Sequence, residues 1–369
     1  MFPPETAGAL LTIDLDAVAA NWRLLQGRAE RATSAAVIKA DAYGLGADRV
    51  GPALKAAGCQ VFFVALVNEG MALRKVLPDA EIHVLGGILP GSEDALAEHR
   101  LIPVLNSLGD IERWSQFTAV RDTKLAADLH LDTGMSRLGL DDRELEKVTA
   151  DPGRLGGITL SVLLSHLACA DEPGHPLNRQ QLDAFQRALK SLPPARTSLA
   201  NSSGIFLGSE FHFDLVRPGA ALYGISPVPG KENPMAQTVR LEGKILQIRD
   251  VDTPKTVGYG ARYQVTGPAR IATVAVGYAD GYLRSLSNKG SAYFGDIRAP
   301  VVGRVSMDLI TLDVSHVPEH LIYPGATADL IGPHCTVDDV ARDAGTIGYE
   351  ILTGLGARYH RIYTGGGAA

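Results

Sequence analysis

The stretch Ala35-Ala36-Val37-Ile38-Lys39-Ala40-Asp41-Ala42-Tyr43-Gly44-Leu45-Gly46 opens on an apolar run that closes at a lysine. Ala35 to Ile38 reads as a buried strand. The glycine-punctuated segment through Tyr43, Gly44 and Gly46 reads as a loop, and Ala47–Ala57 carries a helical pattern. The three together make one strand–loop–helix unit. An amine at the end of a buried strand is open to two readings. Desolvation lowers its pKa and makes it a nucleophile toward carbonyl groups, or it is a snorkelling strand-end lysine.

Working outward, the same alternation repeats. Val61–Ala65, Ile82–Leu85, Pro103–Leu105, Leu125–Leu131, Gly157–Leu164, Thr197–Ala200 and Leu215–Val216 read as strands. Val67–Val76, Ser92–His99, Leu108–Phe117, Arg143–Ala150 and Asn178–Leu192 read as the helices between them. About eight such units in so short a span predict an α/β fold, a (β/α)8 TIM-like barrel rather than a doubly wound sheet. No Gly-x-Gly-x-x-Gly follows an early strand, which counts against a dinucleotide-binding unit. The Pro- and Gly-rich stretch Ser226–Pro234 reads as a linker. Beyond it Val239–Ile248, Arg270–Val276, Ile297–Val302, Leu309–Val314 and Ala328–Ile331 look like strands, with one helical pattern at Val337–Asp343. The expected organisation is a barrel over residues 10–233 that carries Lys39, then a mainly β domain over 234–369. The early strand Ala9–Asp14, followed by an amphipathic helix, could pair with either part.

Composition narrows the function. The chain has 369 residues, 46% of them hydrophobic, with a net charge of −6. That is ample for two cores and the wrong sign for a nucleic-acid footprint. Cys59, Cys169 and Cys335 are scattered without metal-ligand spacing, and their odd number suits a reducing compartment. Met1-Phe2-Pro3-Pro4-Glu5 has neither a basic start nor an apolar core of a signal peptide. No apolar stretch approaches the roughly 20 residues that span a bilayer. These readings predict a cytoplasmic protein with no metal, no membrane and no nucleic-acid partner.

In a barrel the chemistry sits at the C-terminal ends of the strands. Lys39, Arg137, His166, Asn201, Ser202 and Arg217 all fall there. In the run around Lys39 the sequence resembles the alanine racemase family of pyridoxal-phosphate enzymes. The resemblance continues, in order, through Asp132-Thr133-Gly134-Met135-Ser136-Arg137-Leu138-Gly139, Ser165-His166, Ala200-Asn201-Ser202-Ser203, Arg217-Pro218-Gly219 and Ala221-Leu222-Tyr223-Gly224. It extends to Val257-Gly258-Tyr259-Gly260, Gly277-Tyr278-Ala279-Asp280-Gly281, Gly303-Arg304-Val305-Ser306-Met307-Asp308 and Tyr349-Glu350. It covers nearly the whole chain.

The resemblance implies a racemase that interconverts L- and D-alanine, supplies D-alanine to peptidoglycan, and uses pyridoxal 5'-phosphate. Lys39 would hold the cofactor covalently and act as one base. Tyr259 would be the second base, on the opposite face, because racemisation removes a proton from one side and returns one to the other. A tyrosine needs help to act as a base, its reference pKa being about 10. By resemblance His166 contacts Tyr259 and Arg217 contacts His166, so that positive charge favours the phenolate. Arg217 would also face the cofactor's ring nitrogen, and a guanidinium cannot accept that proton. Tyr43, Asn201, Ser202, Gly219, Ala220 and Tyr349 match cofactor-binding positions, most of them at the phosphate. Arg137, Met307 and Tyr278 match substrate-binding positions, and Tyr278 with Tyr349 would narrow the site for a small side chain. The family is a homodimer in which the second domain enters the partner's site.

One position departs from the pattern. Many members carry a carboxylated lysine two residues before the aspartate of the Asp-Thr-Gly motif, where this chain has His130. Another carboxylate or a bound anion would then have to support Arg137, with Asp128 and Asp132 nearby in sequence. Three other readings stay open on sequence: a racemase for another small amino acid such as serine, a barrel decarboxylase, and a cofactor-carrier protein. The decarboxylases usually carry a Cys-Asp motif, whereas here Cys335 precedes Thr336. The carriers resemble the barrel alone and leave the β-rich region without a purpose.

Overall fold

The computed structural model describes residues 3–367; Met1 and Phe2 of the amino-terminal stretch, and Ala368 and Ala369 of the second region, lie outside the described residues. The chain forms two compact units. One comprises Val18–Leu222 and Ser226–Met235. The other comprises residues 3–17, Tyr223–Ile225 and residues 236–367. The first strand, β1 (Ala9–Asp14), belongs to the second of these.

The first unit is the barrel. Its strands are β2 (Thr33–Ser34), β3 (Ala36–Val37), β4 (Val61–Val64), β5 (Glu81–Val84), β6 (Ile102–Leu105), β7 (Leu125–His130), β8 (Ile158–Leu164), β9 (Arg196–Ser198) and β10 (Leu215–Val216). β3 to β9 form a parallel sheet in chain order. β10 lies parallel to β2, with Leu215 opposite Thr33. β2 and β3 are one strand interrupted at Ala35, whose N–H still reaches the Val216 carbonyl at 2.9 Å. The Asp214 N–H to Thr197 carbonyl bond, 3.0 Å, and the Arg217 N–H to Ala200 carbonyl bond, 2.9 Å, join the last strand to β9 and close the ring. Parallel strands covered on both faces are apolar throughout, and β4 buries Val61, Phe62, Phe63 and Val64 alike. The Pro-rich stretch read as a linker belongs to this unit, with Val228 and Met235 buried.

The segment after β3 is a left-handed helical turn. Ala40, Asp41, Ala42 and Tyr43 have φ of 53°, 55°, 54° and 56°. Such a conformation costs about 1–2 kcal/mol per L-residue, so it survives only where hydrogen bonds and burial fix it. The Ala42 N–H reaches the Ile38 carbonyl at 2.9 Å and the Gly46 N–H reaches the Asp41 carbonyl at 2.9 Å. The Ala47 N–H reaches the Asp41 carboxylate at 2.7 Å. Ala42 and Tyr43 are buried. The glycines in the motif marked a loop; nothing in Ala-Asp-Ala-Tyr signals a left-handed run.

The second unit is mainly β. It contains β11 (Val239–Val251), β12 (Thr256–Val257), β13 (Tyr263–Gln264), β14 (Ala269–Val274), β15 (Ser291–Phe294), β16 (Ile297–Pro300), β17 (Ile310–Asp313), β18 (Thr327–Ile331) and β19 (His360–Thr364). β1 runs antiparallel to β11 and parallel to β19, with Ala9, Leu11 and Ile13 on its buried face. The helical pattern at Val337–Asp343 is a helix through Ala344 with Thr336 as its cap. A second helix, Gly348–Thr353, carries Tyr349.

Candidate active site

Lys39 is half-buried where β3 ends, and that partial burial lowers its pKa, with the Arg137 charge acting the same way and Glu69 opposing. The other barrel residues singled out in the sequence converge on the same rim. Arg217 leaves the end of β10, is 4% exposed, and donates to the Ser198 hydroxyl at 2.5 Å and the Ser165 carbonyl at 2.5 Å. Burial lowers it to about 10, so it stays charged at neutral pH. Among the described residues no carboxylate forms an ion pair with it. Burial pushes His166 down to about 3, with Arg217 and Arg137 adding to the effect. The imidazole is therefore neutral at pH 7. The fixed charge of this pair is Arg217's, and His166 offers a neutral ring beside it.

The phosphate-type residues also meet. The Gly219 and Ala221 N–H groups both point at the Ser202 hydroxyl, at 3.0 and 3.2 Å, and Ala220–Tyr223 forms the helical turn that follows. A Cβ at Gly219 would strike the Tyr43 hydroxyl, so only glycine keeps that cradle open. Asn201 turns its Oδ1 to the Gly204 N–H at 2.9 Å. The arrangement suits an aromatic phosphate ester with a carbonyl group. It offers a half-buried amine, backbone donors around a hydroxyl, and a buried cation that, among the described residues, forms no ion pair and suits a neutral ring nitrogen.

Arg137 rides on an exposed loop, and the structure shows what orders that loop. The Asp132 carboxylate accepts the N–H groups of Gly134, Met135 and Ser136 at 2.9, 2.9 and 3.1 Å. Gln181, fully buried on the helix Pro176–Leu189, donates to the Thr133 hydroxyl at 3.2 Å and the His166 carbonyl at 2.8 Å. Its Oε1 accepts the Ala168 N–H at 2.8 Å. The loops of Arg137 and His166 are thus tied through one amide. His130 shares a 2.7 Å hydrogen bond from its Nδ1 with Asn106 Oδ1. The Asn106 amide nitrogen donates to the Leu85 and Val104 carbonyls at 3.1 and 3.0 Å, so its oxygen is the acceptor. Burial, then Arg217, pushes His130 down to about 4. At this position the chain therefore presents a neutral imidazole with its proton on Nδ1.

Asp128 turns the other way, into the barrel. It meets His83 Nδ1 at 2.6 Å, and His83 Nε2 meets Glu81 at 2.7 Å. The His83 ring stacks on Phe63 at 4.4 Å, and the Arg217 guanidinium lies 6.0 Å from the Phe63 ring centroid. Burial alone would lower His83; the two carboxylates outweigh it and raise it to about 9. Burial pushes Asp128 up while His83 pulls it down. The direction that follows from geometry is a retained His83 proton, because a carboxylate flanks each ring nitrogen. A raised folded-state pKa stabilises fully below the unfolded value of about 6.5 and is lost as pH rises through the folded one. The expected result is a decline in unfolding free energy as pH rises from about 6.5 through about 9. Urea titrations check it, and His83→Gln should abolish the decline.

Tyr259, Tyr278, Met307 and Tyr349 lie in the β-rich unit. Tyr259 sits at the tip of the β12–β13 hairpin between Gly258 and Gly260, with φ of 76° and 71°, and is 72% exposed. Tyr278 and Met307 are brought together: the Tyr278 N–H reaches the Ser306 carbonyl at 3.0 Å, and the Ala279 N–H reaches the Met307 carbonyl at 2.9 Å. Arg358 clamps both loops, bonding Asp280 at 2.6 and 2.8 Å and Asp308 at 2.7 Å. Tyr278 is 43% exposed, Met307 54% and Tyr349 39%. Sequence reasoning passed over Glu69, Gln181, Asp132 as a loop cap, and Arg358. Only Glu69 carried a readable signal, an acidic residue in the first turn of a predicted helix.

Comparison with known proteins bears on this site. The family model for the alanine racemase N-terminal domain matches residues 13–227, and that for the alanine racemase C-terminal domain matches residues 238–363. An alanine racemase of Rhodospirillum rubrum is 54% identical over 98% of this chain and 97% of its own length. A catabolic alanine racemase of Mesorhizobium japonicum is 48% identical over 98% of this chain and 94% of its own. The crystal structure of alanine racemase from Bartonella henselae, with covalently bound pyridoxal phosphate, superposes with a TM-score of 0.93 at 43% identity. It covers 97% of this chain and 100% of that one.

Proposed function

The chain belongs to the alanine racemase family, and from that premise we propose how its own residues carry out the reaction. It is an amino-acid isomerase that interconverts L- and D-alanine with pyridoxal 5'-phosphate. When bound, the cofactor supplies the electron withdrawal that acidifies the substrate's α-proton. The half-buried Lys39 amine at the strand end is the observation that carries the reading, since its lowered pKa equips it both to hold a carbonyl compound and to take a proton.

Lys39 serves one face of the substrate and Tyr259 the other. Arg137 binds the substrate carboxylate, joined by the Met307 backbone N–H, while Tyr278 and Tyr349 restrict the side chain. Ser202, Gly219, Ala220, Tyr43 and Tyr349 hold the phosphate group, with Asn201 and His166 lining the cofactor. Arg217 would face the ring nitrogen of the bound cofactor and, being unable to accept its proton, would leave that nitrogen unprotonated, which would limit transamination. The exposure of Tyr259, Tyr278 and Met307 supports a homodimer in which each β-rich domain, residues 234–369, completes the partner's barrel site, residues 10–233. The reaction belongs in the cytoplasm, where D-alanine enters peptidoglycan synthesis; three free cysteines suit that compartment. Among the described residues no helix is long and apolar enough to cross a membrane.

Incubation of the cofactor-loaded protein with L-alanine and with D-alanine, followed by chiral chromatography, tests the reading. The enantiomers have equal free energy in water, so both reactions should converge on a one-to-one mixture. Inversion of serine but not alanine would move the substrate assignment, and retention of every amino acid's chirality would overturn the activity.

A further inference from the structure

Glu69 sits in the first turn of the helix Val67–Val76, which makes it look like an ordinary helix-capping residue. Its contacts reach further. Oε2 accepts the N–H groups of Ala65 and Leu66, at 2.7 and 3.1 Å, as a cap does. Oε1 accepts the N–H of Ala40 at 2.8 Å, in the segment that follows the neighbouring strand β3. Ala40 is the residue directly after Lys39 and the first of the left-handed turn.

Each carboxylate oxygen is thus committed to backbone donors, one oxygen to the helix entry and one to the lysine loop. A charged acceptor gives hydrogen bonds roughly twice as strong as a neutral one. That Oε1 is the acceptor the Ala40 N–H uses, while the Ala42 N–H reaches back to the Ile38 carbonyl at 2.9 Å. We propose that Glu69 is a positioning residue for Lys39: by holding the Ala40 N–H it locks the left-handed turn that sets where the Lys39 amine points. It takes no part in proton transfer. The inference rests on the reading of Lys39 as the cofactor-bearing base. Its negative charge has a second effect, opposing the Arg137 charge at the amine. His166, which also feels the Lys39 charge, is neutral at pH 7 and adds no charge to that balance.

Glu69→Gln tests this with little change of shape. One oxygen becomes an NH2 group, which cannot accept. The amide keeps more bonds by leaving its oxygen on Ala65 and Leu66, so the Ala40 N–H is the one released. In the cofactor-free variant, hydrogen exchange at Ala40 should quicken about 10- to 100-fold, the range expected for losing a hydrogen bond to a charged group. Exchange at Ala65 and Leu66 should stay close to wild type. The pH dependence of Lys39 labelling by an amine reagent should move to lower pH, because the Glu69 charge is gone. In the loaded enzyme, kcat should fall about tenfold with KM for alanine changed less than about twofold, since substrate anchoring lies elsewhere. Glu69→Asp keeps the charge but falls short of Ala40. It should restore the labelling profile while leaving Ala40 exchange fast and kcat low, and it carries the test if the glutamine variant does not fold. Unchanged Ala40 exchange in both variants, or fast exchange with wild-type kcat, overturns the proposal. Failure of the underlying reading looks different: borohydride reduction of the wild-type protein with pyridoxal phosphate would then leave Lys39 unmodified, while the exchange results stood.

Discussion

Lys39→Ala is expected to end covalent capture of pyridoxal phosphate and to lower alanine racemisation by about 10⁴-fold, the upper end of what one positioned acid–base group contributes. Two losses combine at this residue. Among the described residues no second lysine joins Lys39, His166 and Arg217 at the strand ends, so no neighbouring amine holds the carbonyl group in its place. The same amine is also one of the two proton-transfer groups. Borohydride reduction followed by peptide mass analysis reads the first loss, and chiral chromatography reads the second. The phosphate cradle of Ser202, Gly219 and Tyr43 is untouched, so the variant should still bind the cofactor non-covalently. A variant that retains a reducible covalent bond to the cofactor would remove Lys39 from its assigned role.

Tyr259→Phe should lower racemisation by about 10²- to 10⁴-fold in both directions, because each direction uses both bases. Exchange of the α-proton with solvent should behave differently. In deuterated water, the enantiomer whose proton faces Lys39 should still exchange, and the other should not. The phenyl ring keeps the shape of the hairpin tip, where Tyr259 lies 72% exposed between glycines at positive φ. A structural collapse is therefore not the expected cause of the loss. Equal loss of exchange from both enantiomers would show that Tyr259 does not serve one face.

The barrel was legible because parallel strands covered on both sides are written as continuous apolar runs, as in Val61–Val64. The convergence of Lys39, His166 and Arg217 followed from the rule that strand ends share one rim. The left-handed turn was not legible. Ala40, Asp41 and Ala42 have no preference for it, and besides its local bonds it is held by Glu69, far away in sequence. Short strands such as Ser291–Phe294 and His360–Thr364 escaped because pairing across the sheet, not local pattern, defines them. The helix Gly348–Thr353 is too brief to show a period. The departure at His130 was visible in the sequence, but its meaning was not. Only the structure shows that Asp132 ties down the Arg137 loop, while Asp128 is spent on His83 inside the barrel. Spacing places both aspartates near Arg137 and cannot tell their directions apart.

The central claim, that Lys39 of one chain works with Tyr259 of another, is tested most directly by mixed dimers. Lys39→Ala and Tyr259→Phe chains are produced together with different affinity tags, and the doubly tagged species is isolated. Each such dimer has one site with both defects and one with neither. The account predicts about half of the wild-type racemisation rate from a pair of chains that are each inactive alone. Recovery of a doubly tagged species no more active than its parents, or of none at all, would contradict it.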